Sequence, residues 1–467
     1  MRHPHKLAAA AIRPIASRKA LGLAVALGLA GLPAVAFAPV AAASPKPPQC
    51  KVIDTHTKAS YTTLQVAVTA VTAGDTLQVH GTCVGDTMIN KNLTINGDGS
   101  ATLNGNNSIS NSGSVVTVHA NVTAKISGLT ITGGYFLNDG MRALATGGGG
   151  IDNGGTLTLT NSTVTGNTAN TAATGSTATG GGGILNLGSV VLTDSTVKGN
   201  TASNGGGGID NYFGGPVTLT NSTVNGNTAS IAGGGILNLS ALLTLTNSSV
   251  AHNTAEDGGG IYNDFGLLTI TDSTVNGNTG IDGGGGIFNL DSLKLTLTNS
   301  TVNGNTGFGG GGILNADGPL TLTNSTVNGN TASGFGGGGG GIYNGSGTLT
   351  LTNSDLTRNT ASGNGGGIYN DGNFGTATVT FTDPSAKTGT SVNKNTAVSG
   401  GGIYNNPDGG AATVALDPTS RVTYNTATGG LGFGGGIFNS GGTLIGAVAP
   451  PTSGANVKNN TPDNISG

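Results

Sequence analysis

Eleven isoleucines, each directly after a run of glycines, recur at positions 151, 184, 209, 236, 261, 287, 313, 342, 368, 403 and 437. Seven of the ten intervals are 25 to 29 residues; the others are 33, 35 and 34. A period of this length, held from about residue 147 to near the C-terminus, demands a fold built from one repeated unit. One copy reads Gly283-Gly284-Gly285-Gly286, then Ile287-Phe288-Asn289, then Leu295-Thr296-Leu297-Thr298, then Thr301-Val302-Asn303-Gly304-Asn305-Thr306.

Each copy alternates apolar and polar residues. In Leu295-Thr296-Leu297-Thr298 the leucines share one face and the threonines the other, the mark of a half-buried strand. Ile287 and Asn289 share a face, with Phe288 opposite. A third short segment starts at Val302 and ends at the Asn-Thr pair. Three strands and three turns in about 26 residues close one coil, which buries little alone. Stacking coils about 4.8 Å apart pairs each strand with its equivalents above and below. The expected fold is all-β, a single parallel β-helix (solenoid) of about 13–14 coils with an Ile/Leu/Val interior.

Asparagine is the second periodic signal. It follows every repeat isoleucine by two residues, from Asn153 to Asn439, and a second column runs from Asn167 through Asn305 to Asn425. A side-chain amide stacked on its equivalent donates to one neighbour and accepts from the other. Asn161, Asn221, Asn299 and Asn324 each open Asn-Ser-Thr, which also reads as a glycosylation acceptor. The phase of asparagine with the coil favours the structural role. Glycine runs fit tight corners where no Cβ obstructs the next coil.

These motifs resemble the repeats of right-handed parallel β-helix proteins of the pectin-lyase-like superfamily. More narrowly, they are similar to the Gly-Gly-Ala-Ile and Phe-x-x-Asn repeats of chlamydial polymorphic outer-membrane proteins and bacterial surface adhesins. Here the first motif is Gly-Gly-Gly-Ile, and the second keeps its asparagine but lacks the phenylalanine, as in Val302-Asn303-Gly304-Asn305. The resemblance spans roughly residues 115–460 and implies the right hand of the coil. Its implications for function are broad, because the superfamily holds enzymes, adhesins and phage spikes alike. No sorting signal, translocator barrel or second apolar span follows the repeats, unlike the chlamydial proteins.

The N-terminal part divides into expected segments. Residues 1–43 carry five Lys/Arg and no acid, an apolar run over 20–32 and Ala41-Ala42-Ala43, the pattern of a secretory signal peptide. A Pro-rich tether covers 44–49. Cys50 and Cys83 are the only cysteines, and an exported chain with two would pair them. A helix is predicted over 60–71, capped by Ser60, as part of an N-terminal cap over 50–76. The β-helix follows over 77–460, with about three less regular coils to 134. Insertions at 170–179, 371–387 and 407–419 are expected as outer loops, and 461–467 as a C-terminal tail. Secretion or cell-surface association is the expected localisation.

Taking the five leader cations from 18 leaves 13 basic against 21 acidic residues, a net charge of −8. That balance argues against nucleic acid or anionic membrane as partner, and no membrane span follows the leader. A polysaccharide or other cell-surface component is the expected ligand. Catalytic signals are sparse. No histidine is set beside an aspartate in the sequence. Glu256-Asp257, an acidic pair that also suits a solvated Gly-rich turn, and then Asp139 with Arg142 are the best charged clusters; no catalytic residue, cofactor or metal is assigned. Gly147–Gly155 and Gly205–Phe213, with Asp152 and Asp210, approach a Ca²⁺-binding nonapeptide. They lie 58 residues apart, whereas that motif works only in tandem, so a Ca²⁺ roll is rejected.

Two outward files remain. Between Ile and Asn the chain places Leu237, Tyr262, Phe288, Leu314, Tyr343, Tyr369, Tyr404 and Phe438, preceded by Asp152, Leu185 and Asp210. Eight coils make an apolar stripe on the order of 35 Å long. Its rings Tyr262, Phe288, Tyr343, Tyr369, Tyr404 and Phe438 are the candidate binding residues, for pyranose faces or a protein partner; their alternative role is mutual packing. The second file is a Thr-x-Thr grid, Thr296/Thr298 and equivalents. It resembles the flat grids of ice-binding solenoids but also suits an exposed strand. The expected function is a secreted, non-enzymatic binding or structural protein. A polysaccharide lyase or glycoside hydrolase is the second reading and an ice binder the third.

Overall fold

The computed structural model describes residues 49–138, 147–171, 180–334, 338–373, 375–383, 389–430, 432–447 and 456–467. The leader, most of the tether, and the Asp139 and Arg142 pair lie outside the described residues, as do 172–179 and 384–388 within two expected insertions. The described residues belong to the compact unit Pro47–Gly467.

The chain winds as a parallel β-solenoid. A typical coil has four strands: Ile287–Leu290, Lys294–Thr298, Thr301–Asn303 and Thr306–Gly307. We call these the Ile, Leu, Val and Thr strands. Each pairs in parallel with its equivalents one coil away: Ile287 with Ile313, Leu295 with Leu320, Val302 with Val327, Thr306 with Thr331. The Ile strands form a 14-stranded sheet from Thr87–Ile89 to Ile465–Ser466, which matches the coil number read from the period. The expected third strand is in fact two. Gly304, at φ 62°, bends the chain between Asn303 and Thr306, so the Val and Thr strands lie on different walls.

The first coils differ. Leu93–Asn104 and Thr123–Thr132 run through both the Leu and Val positions as single long strands. In the repeats, the turn at the Asn of Asn-Ser-Thr breaks that strand; Asn299 sits there at φ 50°, a conformation asparagine tolerates.

All repeat isoleucines are fully buried, in one apolar cluster that runs from Val52 to Val457. On the Leu strand the leucines face this core and the threonines are half-exposed. Glycine is required where walls meet. A Cβ on Gly286 would stand 2.6 Å from the Gly312 carbonyl oxygen of the next coil.

The N-terminal end is closed by more than the expected helix. The helix spans Leu64–Ala70, with Thr63 as N-cap accepting from the Val66 amide at 3.3 Å. Ser60, expected as the cap, instead lies in the strand Ser60–Tyr61. That strand pairs antiparallel with Lys51–Asp54, which in turn pairs antiparallel with Thr76–His80. The helix adds Leu64, Ala67 and Val68 to the core, and the Cys50–Cys83 disulfide ties the start of the chain to the strand Thr82–Val84.

Three further expectations change. The stretches 371–387 and 407–419 are not loops throughout: Thr376–Thr382 and Ala411–Ala415 are Leu-type strands, with Val379, Phe381 and Val414 facing the core in place of leucine and Ala412 buried beside Ala377. Nor is 461–467 a free tail. Ile465–Ser466 adds to the Ile sheet on Ile437 and Phe438, so the wall continues past residue 460.

Candidate functional site

Inward-facing asparagines fix what the outer faces can present. In the first column each Nδ2, from Asn153 to Asn405, donates to Oδ1 of the asparagine one coil on, at 2.7–3.0 Å. The second column repeats this from Asn167 to Asn460 at 2.9–3.0 Å. There each Oδ1 also accepts a backbone amide from the neighbouring coil, as Asn330 does from Asn305. Buried amides left unpaired would each cost about 1–3 kcal/mol; completed ladders instead lock the register. A third ladder escaped the sequence reading. The serines at the Asn-Ser-Thr position of each coil, Ser162 to Ser354, are buried, and each amide from Ser162 to Ser325 donates to the next Ser Oγ at 2.9–3.2 Å. Their strict phase is the signal that could have revealed it.

The register places the residue between Ile and Asn on the outside, coil over coil: Tyr262, Phe288, Leu314, Tyr343, Tyr369, Tyr404, Phe438. Tyr262 and Phe288 pack edge to face at 5.0 Å between centroids, as do Tyr343 and Tyr369 at 5.2 Å and Tyr369 and Tyr404 at 5.1 Å. Tyr404 and Phe438 stack at 5.0 Å. Leu314 divides the rings, leaving four contiguous ones from Tyr343 to Phe438. All are half-buried except Tyr369, which is only 9% exposed. The apolar file is continuous through Leu314, and its six rings fall into two aromatic groups, one of two and one of four.

Polar side chains anchor the larger group. Tyr343 Oη donates to Asp371 Oδ2 at 2.6 Å, and Asn406 Nδ2 donates to Tyr369 Oη and to Asp371 Oδ1, both at 3.2 Å. Burial, then the Asp371 hydrogen bond, pushes the Tyr343 hydroxyl well above its usual range. Burial, then the Asp371 charge, pushes Tyr369 up to about 12. These phenols stay neutral donors and acceptors at any ordinary pH.

Toward the N-terminus the same file sinks. Leu185 and Asp210 are fully buried and Leu237 nearly so. Neither oxygen of Asp210 has a hydrogen-bond partner. Burial pushes its carboxyl up to about 8, against a pull from the Gly206 amide that falls short of hydrogen-bond geometry. Asp152, two coils below, is pushed up to about 6 by burial, offset in part by His119. Leu185 separates the two acids, so they share no ion. Among the described residues no group of three or more His, Cys, Asp and Glu is set to hold a metal.

The acid clusters resolve as follows. Asp257 is pushed up to about 6 by burial, then by Glu256 and Asp282. In the N-terminal coils the fold brings histidines to aspartates that are distant in sequence: His80 Nδ1 lies 3.0 Å from Asp98 Oδ2 and His56 Nδ1 lies 3.8 Å from Asp75 Oδ1. His80 and Ser100 hold the Asp98 carboxyl down at about 2. Ser100 Oγ bonds the carboxylate rather than the imidazole, so the order of a nucleophile–base relay is not met. The threonine grid is in register but interrupted, since Val191 stands between Thr158 and Thr218.

No protein-family model, no curated protein and no solved structure matches the chain. Among the described residues no helix is long and apolar enough to cross a membrane.

Proposed function

We propose that this chain is a secreted, non-enzymatic β-solenoid that binds a glycan or other cell-surface polymer along its aromatic file. The observation that carries the reading is the group Tyr343, Tyr369, Tyr404 and Phe438. These are four rings in consecutive coils, at centroid distances of 5.0–5.2 Å, on an outer wall. Tyr343, Tyr404 and Phe438 are half-exposed, and Asp371 and Asn406 hold the hydroxyls of Tyr343 and Tyr369, which pre-organises the group for pyranose faces. Export is supported by the leader pattern and by the paired cysteines. The resemblance to pectin-lyase-like and chlamydial surface repeats, with its right-handed coil, supports the same reading.

A glycan-cleaving enzyme is the second reading, and one feature favours it: the raised carboxyl of Asp257, in the range of a general acid. Two measurements separate the readings. On a glycan array the protein should retain one polymer class without turnover, and Tyr343→Ala with Tyr369→Ala should remove that retention while leaving the far-ultraviolet spectrum unchanged. Release of shorter or unsaturated products, lost in Asp257→Asn, would instead establish the enzyme.

A further inference from the structure

The ring group from Tyr343 to Phe438 is built around a buried anion. Asp371 ends the Ile strand Ile368–Asp371, two residues after Tyr369, and is only 5% exposed. Its Oδ2 accepts the Tyr343 hydroxyl at 2.6 Å. Its Oδ1 accepts Asn406 Nδ2 at 3.2 Å and the Asn373 amide at 3.1 Å. All three donors are neutral, so they satisfy the oxygens without cancelling the charge. Among the described residues Asp371 makes no ion pair, the only ones being the two His–Asp contacts of the N-terminal coils.

The cations of these coils stand on another wall. Between Ile342 and Asn439 the sequence has four, Arg358, Lys387, Lys394 and Arg421. Arg421 opens the Val strand Arg421–Thr423, and Arg358 and Lys394 directly follow the Val strands Asp355–Thr357 and Ser391–Asn393. The Val strands belong to a different sheet from the Ile strands that carry the rings. Lys387 lies outside the described residues. A second carboxylate lies on the ring side instead: Asp408 is exposed, and its amide donates to Asn406 Oδ1 at 3.4 Å. Burial and then the Asp371 charge lead the upward push on the Tyr369 hydroxyl, and the Asp408 charge adds to it. Both carboxylates therefore act on the same ring, whose face is itself electronegative.

We propose, resting on the glycan reading of this ring group, that it takes uncharged sugar polymers and rejects polyuronates, with Asp371 as the residue that sets the selection. A neutral pyranose brings its C–H face to the rings and meets no opposing charge. A uronate on the same rings brings a carboxylate beside Asp371 and Asp408, with no cation on that wall to offset the repulsion. Where part of the intervening medium is protein, like charges several ångströms apart are repelled strongly enough to change affinity by about tenfold or more. Asp371 thus has two effects: it fixes the Tyr343 hydroxyl, and it sets the sign of the potential over the rings.

The test is calorimetric titration with two matched pairs at pH 7, low salt and with divalent cations chelated. One pair is a galacturonate hexamer and its fully methyl-esterified form; the other is cellohexaose and its C6-oxidised, glucuronate form. Within each pair the ring order and linkage are the same and the charge differs. The uncharged member should bind at least about tenfold more tightly, and added salt should narrow the gap. Asp371→Asn, which keeps an acceptor for the Tyr343 hydroxyl, should strengthen the acid about threefold or more and change its uncharged partner by less than about twofold. A merely structural loss would weaken both. Asp408→Asn, at an exposed position, should narrow the gap by a smaller factor. Equal or tighter binding of the acid, or a gap that both variants leave unchanged, overturns the charge selection while the glycan reading stands. If no uncharged glycan is retained, in these titrations or on the array, the glycan reading falls and this inference with it.

Discussion

One file of side chains, held by one backbone register, meets opposite environments at its two ends. Near the N-terminus Leu185, Asp210 and Leu237 are sealed from water, and Asp210 has no partner. Near the C-terminus Tyr343, Tyr404 and Phe438 are half-exposed around a buried Tyr369, and the hydroxyls of Tyr343 and Tyr369 are engaged by Asp371 and Asn406. The Ile and Asn on either side of the file are buried and in register at both ends. The repeat therefore decides where a side chain stands, and the glycine run and corner loops decide whether water reaches it. A Cβ on Gly205 would approach Asp210 Oδ2 to 2.5 Å, so the glycine backbone itself forms the lid there.

The largest effect should come from the sealed end. The carboxyl of Asp210 is raised in the folded state to about 8, above its unfolded value. The folded chain therefore binds the extra proton between the two, and stability falls as pH rises from about 4 to about 8. Asp210→Leu, matching Leu185 and Leu237, should gain on the order of a few kcal/mol above pH 8 and little at pH 4. Denaturant titrations at both values check this; a parallel gain at both would break the contrast between the two ends.

Next comes the ladder that both ends share. Asn289→Ala strands Asn263 Nδ2 and Asn315 Oδ1, and should cost about 2–4 kcal/mol, seen as a lower denaturation midpoint. At the open end, Gly338→Ala would set a Cβ 2.1 Å from Tyr369 Cδ1 and turn that ring out of its stack. The expected cost is about 1–3 kcal/mol, with a changed near-ultraviolet tyrosine signal. The smallest effect should be Tyr343→Phe, about 1 kcal/mol from the lost bond to Asp371, read as a small drop in Tm.

Much of this was legible in the sequence. The spacing of Ile and Asn placed the core and both amide ladders, because a strict period leaves few other ways to bury them. What stayed hidden depends on context rather than period. Ser300 reads as a surface residue beside Asn299, and only the bend at Asn299 turns it inward. Lys51–Asp54 is too short to announce a strand, and Ser60 looks like a helix cap until that strand claims it. The aromatic file, with Leu314 between its two ring groups, was readable by position, but its anchoring by Asp371 and Asn406 depends on contacts with neighbouring coils.

The central claim is that each motif copy advances the chain by one coil, so that equivalent residues line up along the axis. Spin labels on Thr218 paired in turn with Thr269, Thr321 and Thr350 test it by pulsed electron resonance. The account predicts separations that lengthen by about 4.8 Å for every coil between the labels, reaching about 24 Å at Thr350. Distances that do not grow with coil number would contradict it.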